Sequence, residues 1–339
     1  MNNPVDAIRA QAHLHHAYYL GLQLMVASRK GAEVMEEWTF RLFRRQHLEK
    51  FLPGLEKLGL TDLPHAVACA QYHVLANNIG GVGVEFMPES TTKAWLRFRY
   101  PRWMFHGPTL CGIPREVSLG ILRAWYAHNG VSLKNPRLGF VCVSEDMTGE
   151  FGLCGYFKEY DHDLAEHERL QFAKDEQPPP FMPEHQPRAA ADQWSKERLE
   201  KANRNYAMEY VRNGLCELSG LIGSSETLEI GKLSARLIGL QYSAETARMI
   251  NAVEGTVEDA VQYLARMFEG MGDEITRRSN NSFEHRGLRV IRGLNGAEKD
   301  LVLTCWLELW QGVLGAQQVR KSATISPSSD GLLWKIRAV

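Results

Sequence analysis

Apolar residues recur along this chain with two spacings, and the alternation between them sketches a fold. Val117, Ile121, Leu122 and Trp125 follow at intervals of three and four, which places them on one helix face. Pro114 stands near the start of that helix, and Gly130 is a natural stop. Phe140–Glu145 and Glu150–Phe157 are β-rich segments around Asp146-Met147-Thr148-Gly149, a hairpin signature. Further on, Leu301–Trp310 reads as a helix, with strands at Ser322–Ser326 and Leu332–Arg337 around Pro327-Ser328-Ser329-Asp330-Gly331. Long helical stretches precede each set: Ala7–Ser28 and Ala32–Phe51 for the first, Lys196–Leu221 and Leu228–Leu240 for the second.

The two sets resemble each other. Ala124–Val131 lies over Trp306–Val313 at an offset of 182, bringing Gly130 onto Gly312 and Gly149 onto Gly331. Upstream, Ala66–Gly81 resembles Ala260–Gly272, and Arg97-Phe98-Arg99 resembles Arg289-Val290-Ile291 at an offset near 192. The expectation is an α+β protein of two tandem, diverged helix–strands–helix–hairpin modules. The first module (1–170) carries the ligand pocket, a connector follows (171–195), and the second module (196–339) is degenerate. Pro178, Pro179, Pro180, Pro183 and Pro187 keep the connector extended, either as a linker or as a strap across the mouth of a site.

Differences between the modules predict where a pocket lies. At the offset of 182, Gly152 stands where the second module has Trp334, and Cys154 where it has Ile336. On the facing helix His128 replaces Trp310 and Arg123 replaces Cys305. Lost volume in a close-packed interior is refilled or left open, so either a partly polar pocket opens here or Tyr126, Trp125 or Phe157 fills the space.

Composition narrows the partners. Thirty-nine Lys+Arg against forty Asp+Glu leave a formal charge of −1, which argues against a nucleic-acid footprint. No apolar run approaches the roughly 20 residues that span a bilayer, and the amino terminus has no secretory pattern, so cytoplasmic residence is expected. The six cysteines form no C-x-x-C pair and no disulfide framework. No phosphate-binding glycine loop, G-x-S-x-G elbow or G-x-G-x-x-G motif is present, so no nucleotide cofactor is expected.

The loop from Tyr100 to Gly112 is longer than its counterpart and concentrates chemistry at a helix entrance. Its Arg102, with Arg115 or Arg123, could hold a carboxylate, and Trp103 and Cys111 would line the same entrance. His106 and His128 are the candidate acid and base, with Glu145 assisting. Trp125, Gly152, Cys154 and Tyr156 would shape the substrate side. Metal binding is a weaker option: His106, Cys111, His128 and Glu145 match no compact ligand motif, and His13 and His16 share a helix face without a carboxylate partner.

Val141-Cys142-Val143-Ser144-Glu145, leading through Gly149 to Cys154-Gly155-Tyr156, is similar to the four-vinyl reductase-like domain and the related aminothiazoline-carboxylate hydrolase-like proteins. Thr148 stands about where that pattern has an earlier cysteine. The resemblance implies a small-molecule-binding module used as a sensor or in metabolite breakdown. The leading expectation is therefore a hydrolase or lyase acting on a small carboxylated metabolite by acid–base chemistry in the first module. A non-catalytic small-molecule sensor is the alternative. A third is a structural role, with Leu301, Trp306, Leu309 and Trp310 forming a homo-oligomer surface on the second module.

Overall fold

The computed structural model describes residues 4–100, 106–150, 152–188 and 195–339. Three helices open the chain: α1 (Pro4–Lys30), α2 (Ala32–Lys57) and α3 (His65–Ile79). Then come β1 (Val84–Pro88), β2 (Lys93–Phe98), α4 (Glu116–Ala124), a short α5 (Asn129–Ser132), β3 (Leu138–Ser144), β4 (Cys154–Glu159) and β5 (Leu170–Phe172). The same succession returns as α6 (Lys196–Ile222), α7 (Ser224–Met249), α8 (Val257–Met271), β6 (Glu274–Ser279), β7 (Ser282–Arg286), α9 (Gly296–Gly315), β8 (Lys321–Ser328) and β9 (Gly331–Ala338). The class is α+β, with sheets of order β1-β2-β4-β3-β5 and β6-β7-β9-β8. Helix lengths agree in pairs: α1 and α6 have 27 residues, α2 and α7 have 26, α3 and α8 have 15. In each set the first two helices meet at a glycine with positive φ, Gly31 at 83° and Gly223 at 87°, a conformation glycine adopts without steric cost.

The chain gathers into two compact units, a first of Val26–Ser195 and a second of Met1–Met25 with Lys196–Val339. The start of α1, expected to serve the first module, therefore packs with the second. Its polar groups find partners there: Tyr18 donates to the Gly231 carbonyl (2.9 Å) and His15 Nε2 accepts from Trp306 (3.1 Å). In this unit Phe268 is ringed by Phe283, His285, Trp306, Trp310 and Trp334 at centroid distances of 4.2–6.0 Å. Gly239 and Gly312 let α7 and α9 approach until a Cβ at either would strike the other helix's backbone. Leu301, Trp306, Leu309 and Trp310 are all buried in this core. They offer no surface to a partner, contrary to expectation, because the sheet and α7 already cover them.

In the first unit, Phe140 and Phe157 turn toward the helices, where Tyr126 and His73 meet them. The opposite face carries Met87, Trp95, Val141, Val143, Cys154 and Tyr156, with Ala173 and Phe181 packed against it. The Pro-rich connector thus runs as a strap. β5 pairs parallel with β3 at one edge, and at the other Gln186 Oε1 accepts from Phe86 N (3.0 Å) while its Nε2 donates to the Val84 carbonyl (2.6 Å). One carboxamide satisfies two backbone groups of the β1 edge, which would otherwise stay open to pairing.

Strand registers overturn the predicted vacancy. Trp334 lies inside β9, opposite Phe283 and Ile325, whereas Gly152 lies outside β4. Within β4 the ring of Phe157, opposite Ala94 and Phe140, is fully buried against Tyr126 and His73. Gly152 sits before β4 with φ 110°, where a Cβ would meet the Phe98 carbonyl at 3.2 Å. Gly130 likewise does not end a long helix. α4 stops at Ala124, and Gly130 lies within α5, where a Cβ would come within 2.5 Å of the Leu138 carbonyl. Among the described residues no helix is long and apolar enough to cross a membrane.

Candidate functional site

An open cleft of about 570 Å³ lies in the first unit. Asp62, Leu63 and Pro64 from the α2–α3 turn line it, with His65 at the start of α3. The far wall is Lys134, Asn135, Pro136 and Arg137 between α5 and β3, with Glu159 from the end of β4. α3 begins at His65, after Pro64, without a side-chain cap, so its first amides have no intrahelical acceptor. Asn135, buried, braces the wall: its Nδ2 donates to His65 Nδ1 (3.0 Å) and its Oδ1 accepts from Arg137 N (3.1 Å). A neutral His65 then carries its proton on Nε2. Arg137 pairs with Glu159 (2.8 Å). Lys134 holds φ at 54°, a region that disfavours side chains other than Gly or Asn. Its ammonium has no ion pair among the described residues.

Deeper in the same unit runs a buried chain of ring and amide groups. Arg44 donates to His47 Nδ1 (2.6 Å), His47 Nε2 to Asn129 Oδ1 (3.1 Å), and Asn129 Nδ2 to His73 Nε2 (2.9 Å). Every donor points the same way, which fixes both tautomers. Burial pushes His47 and His73 down to about 3, and for His47 the Arg44 charge adds to it. Both rings stay neutral near pH 7, so the chain orients side chains rather than carrying protons.

The predicted residues scatter around these features. Arg102 and Trp103 lie outside the described residues. His106 and Cys111 are exposed at the ends of a 3-10 turn. Arg115 grips Glu145 with three hydrogen bonds of 2.9–3.1 Å. Lys174 stands 3.8 Å from the same carboxylate, whose side chain is fully buried. The guanidinium occupies both carboxylate oxygens, and that hydrogen bonding raises the Arg115 pKa. Arg123 turns to Glu36 and Phe40. His128 Nδ1 donates to the Arg123 carbonyl (2.7 Å), and partial burial lowers its pKa. Trp125 donates to Gln46 (3.2 Å). Cys154 and Tyr156 share the strap-covered face, where burial pushes the thiol up to about 12 and raises the phenol further.

The fold thus unites Arg115 with Glu145, and Cys154 with Tyr156, but gives His128 and Glu145 separate partners. No three metal-ligating side chains gather among the described residues, so His106, Cys111, His128 and Glu145 do not converge on an ion. Of the cleft and the buried chain, no member was marked by sequence spacing. Against known proteins, the chain matches no family model, no curated protein and no solved structure.

Proposed function

We propose that the chain is a small-molecule-binding protein whose first unit takes a small organic anion, a carboxylated metabolite, in the cleft between the α2–α3 turn and the α5–β3 turn. The observation that carries this reading is the unpaired Lys134 ammonium in a cleft of about 570 Å³, beside Arg137 and His65. A left-handed backbone at a lysine costs of order 1 kcal/mol, and a ligand carboxylate on its ammonium offsets that cost. A volume of this size suits a metabolite rather than a macromolecule. The resemblance to the four-vinyl reductase-like domain and the shared element order of the two units support the same reading, that of a duplicated ligand-binding module in the cytoplasm.

Catalysis is the second reading, favoured by His65, whose ring Asn135 orients within the same cleft. His65 there takes the acid–base role first expected of His106, His128 and Glu145. Calorimetric titration with a panel of small carboxylates tests both. Binding that weakens at least tenfold in Lys134→Met supports the cleft, and binding unchanged in that variant removes it. Turnover lost in His65→Asn with affinity retained favours the enzyme over the sensor.

A further inference from the structure

Among the described residues, a cluster of arginines in the second unit makes no side-chain ion pair with a carboxylate. Arg204 and Arg212 lie two turns apart on α6, while Arg289 and Arg292 flank the turn Arg289–Ile291 after β7. Arg204 and Arg289 stand side by side over Gly272: a Cβ there would lie 3.3 Å from Arg204 Nη1 and 3.0 Å from Arg289 Nη2. The hydrogen bonds of these guanidinium groups end on neutral oxygens. Arg204 donates to the Gly270 carbonyl (2.9 Å) and to Asn205 Oδ1 (3.2 and 3.0 Å). Arg289 donates to the Gly272 carbonyl (3.3 Å), and its buried Nε has no partner. Arg212 donates to Asn213 Oδ1 and to the Arg292 carbonyl, each at 3.2 Å. Asp273 beneath them hydrogen-bonds His285 Nε2 (2.9 Å) and Arg289 N (3.0 Å) and supplies a single negative charge to the pair.

Elsewhere in this unit Arg236, Arg277, Arg278 and Arg286 each pair with a glutamate; what sets this cluster apart is two guanidinium groups side by side, one of them buried. Capping the α8 carboxyl end would need one cation; two adjacent guanidinium groups, one of them 5% exposed, go beyond that. Buried charges are stable when paired, and the crowding registers in Arg204, whose pKa burial and the Arg289 charge lower to about 10 against the opposing pull of Asp273.

We infer that this arginine cluster is a binding site for a phosphoryl group, centred on Arg204 and Arg289 and extended along α6 by Arg212 and Arg292. A phosphoryl dianion brings several acceptor oxygens that suit guanidinium forks, and its charge answers a cationic pair better than a single carboxylate does. The site belongs to the second unit and stands independently of the cleft. Titration of the full chain with inorganic phosphate and pyrophosphate at low salt, followed by calorimetry, tests it. Arg289→Gln is expected to weaken phosphate at least tenfold, Arg292→Gln less, and Arg248→Gln, on α7, not at all. Pyrophosphate is expected to bind more tightly than phosphate. No phosphate binding by the unaltered chain, or equal affinity in the Arg289→Gln and Arg248→Gln variants, overturns the inference.

Discussion

Acid should unfold the first unit well before its carboxylates titrate, and His73 is the residue through which to see it. Folded His73 and His47 have pKa values of about 3, against 6.5 for a free imidazole. The unfolded chain takes up these protons below pH 6.5 and the folded chain does not until far lower. The stability from keeping both rings neutral is therefore complete above pH 6.5 and drains away as pH falls toward 3. Each histidine costs about 1.4 kcal/mol per pH unit in that window, so about 4 kcal/mol is lost by the pair between pH 6.5 and about 5. That is a large share of the roughly 5–15 kcal/mol that holds a domain folded. His73→Phe removes one titration while keeping a ring between Tyr126, 4.2 Å away and nearly parallel, and Phe157. The variant should lose about 1–3 kcal/mol at neutral pH, because Asn129 Nδ2 forfeits its acceptor, yet its stability should fall only about half as steeply with acid. Urea unfolding followed by hydrogen exchange of first-unit peptides, repeated between about pH 7.5 and 5, measures both. Equal pH slopes in variant and parent would refute the reasoning, as would a parent whose stability is flat across the window.

Other consequences follow from burial and close approach. Arg115→Met strands the buried Glu145 and should cost about 3–5 kcal/mol in urea unfolding, with Arg115→Met/Glu145→Gln recovering part of the loss. Iodoacetamide should modify one cysteine in the native chain, Cys111, since the other five are buried and burial raises the thiol pKa of Cys69, Cys142, Cys154 and Cys305; peptide mass mapping checks this. Gly220→Ala on α6, where a Cβ meets open space, should stabilise by about 0.5–1 kcal/mol, while Gly239→Ala should cost several times that because its Cβ meets the α9 backbone.

The order of elements was legible because helix and strand periods differ sharply and turn glycines such as Gly149 punctuate them. Strand register was not. The β3–β4 connection runs over Glu145–Leu153, whereas β8 and β9 are joined through Ser329 and Asp330 alone. A constant offset of 182 therefore carries Gly152, outside β4, onto Trp334, inside β9. Glu145 and Arg115 pair with each other, so the carboxylate expected to assist a histidine and the guanidinium expected to hold a substrate carboxylate are engaged together. The His47–Asn129–His73 chain joins residues up to 82 positions apart, beyond the reach of local spacing. The arginine cluster eluded spacing for a related reason: Arg204 and Arg289, 85 positions apart, meet only in space, over Gly272.

The cleft claim is tested most directly by amide chemical-shift mapping of the intact protein titrated with a mixture of small carboxylates. Shifts concentrated at Asp62–His65 and Lys134–Arg137, and lost in Lys134→Met, are the predicted result. Shifts that instead cluster on the strap-covered face around Cys154 and Tyr156, or no saturable shifts at all, would contradict it.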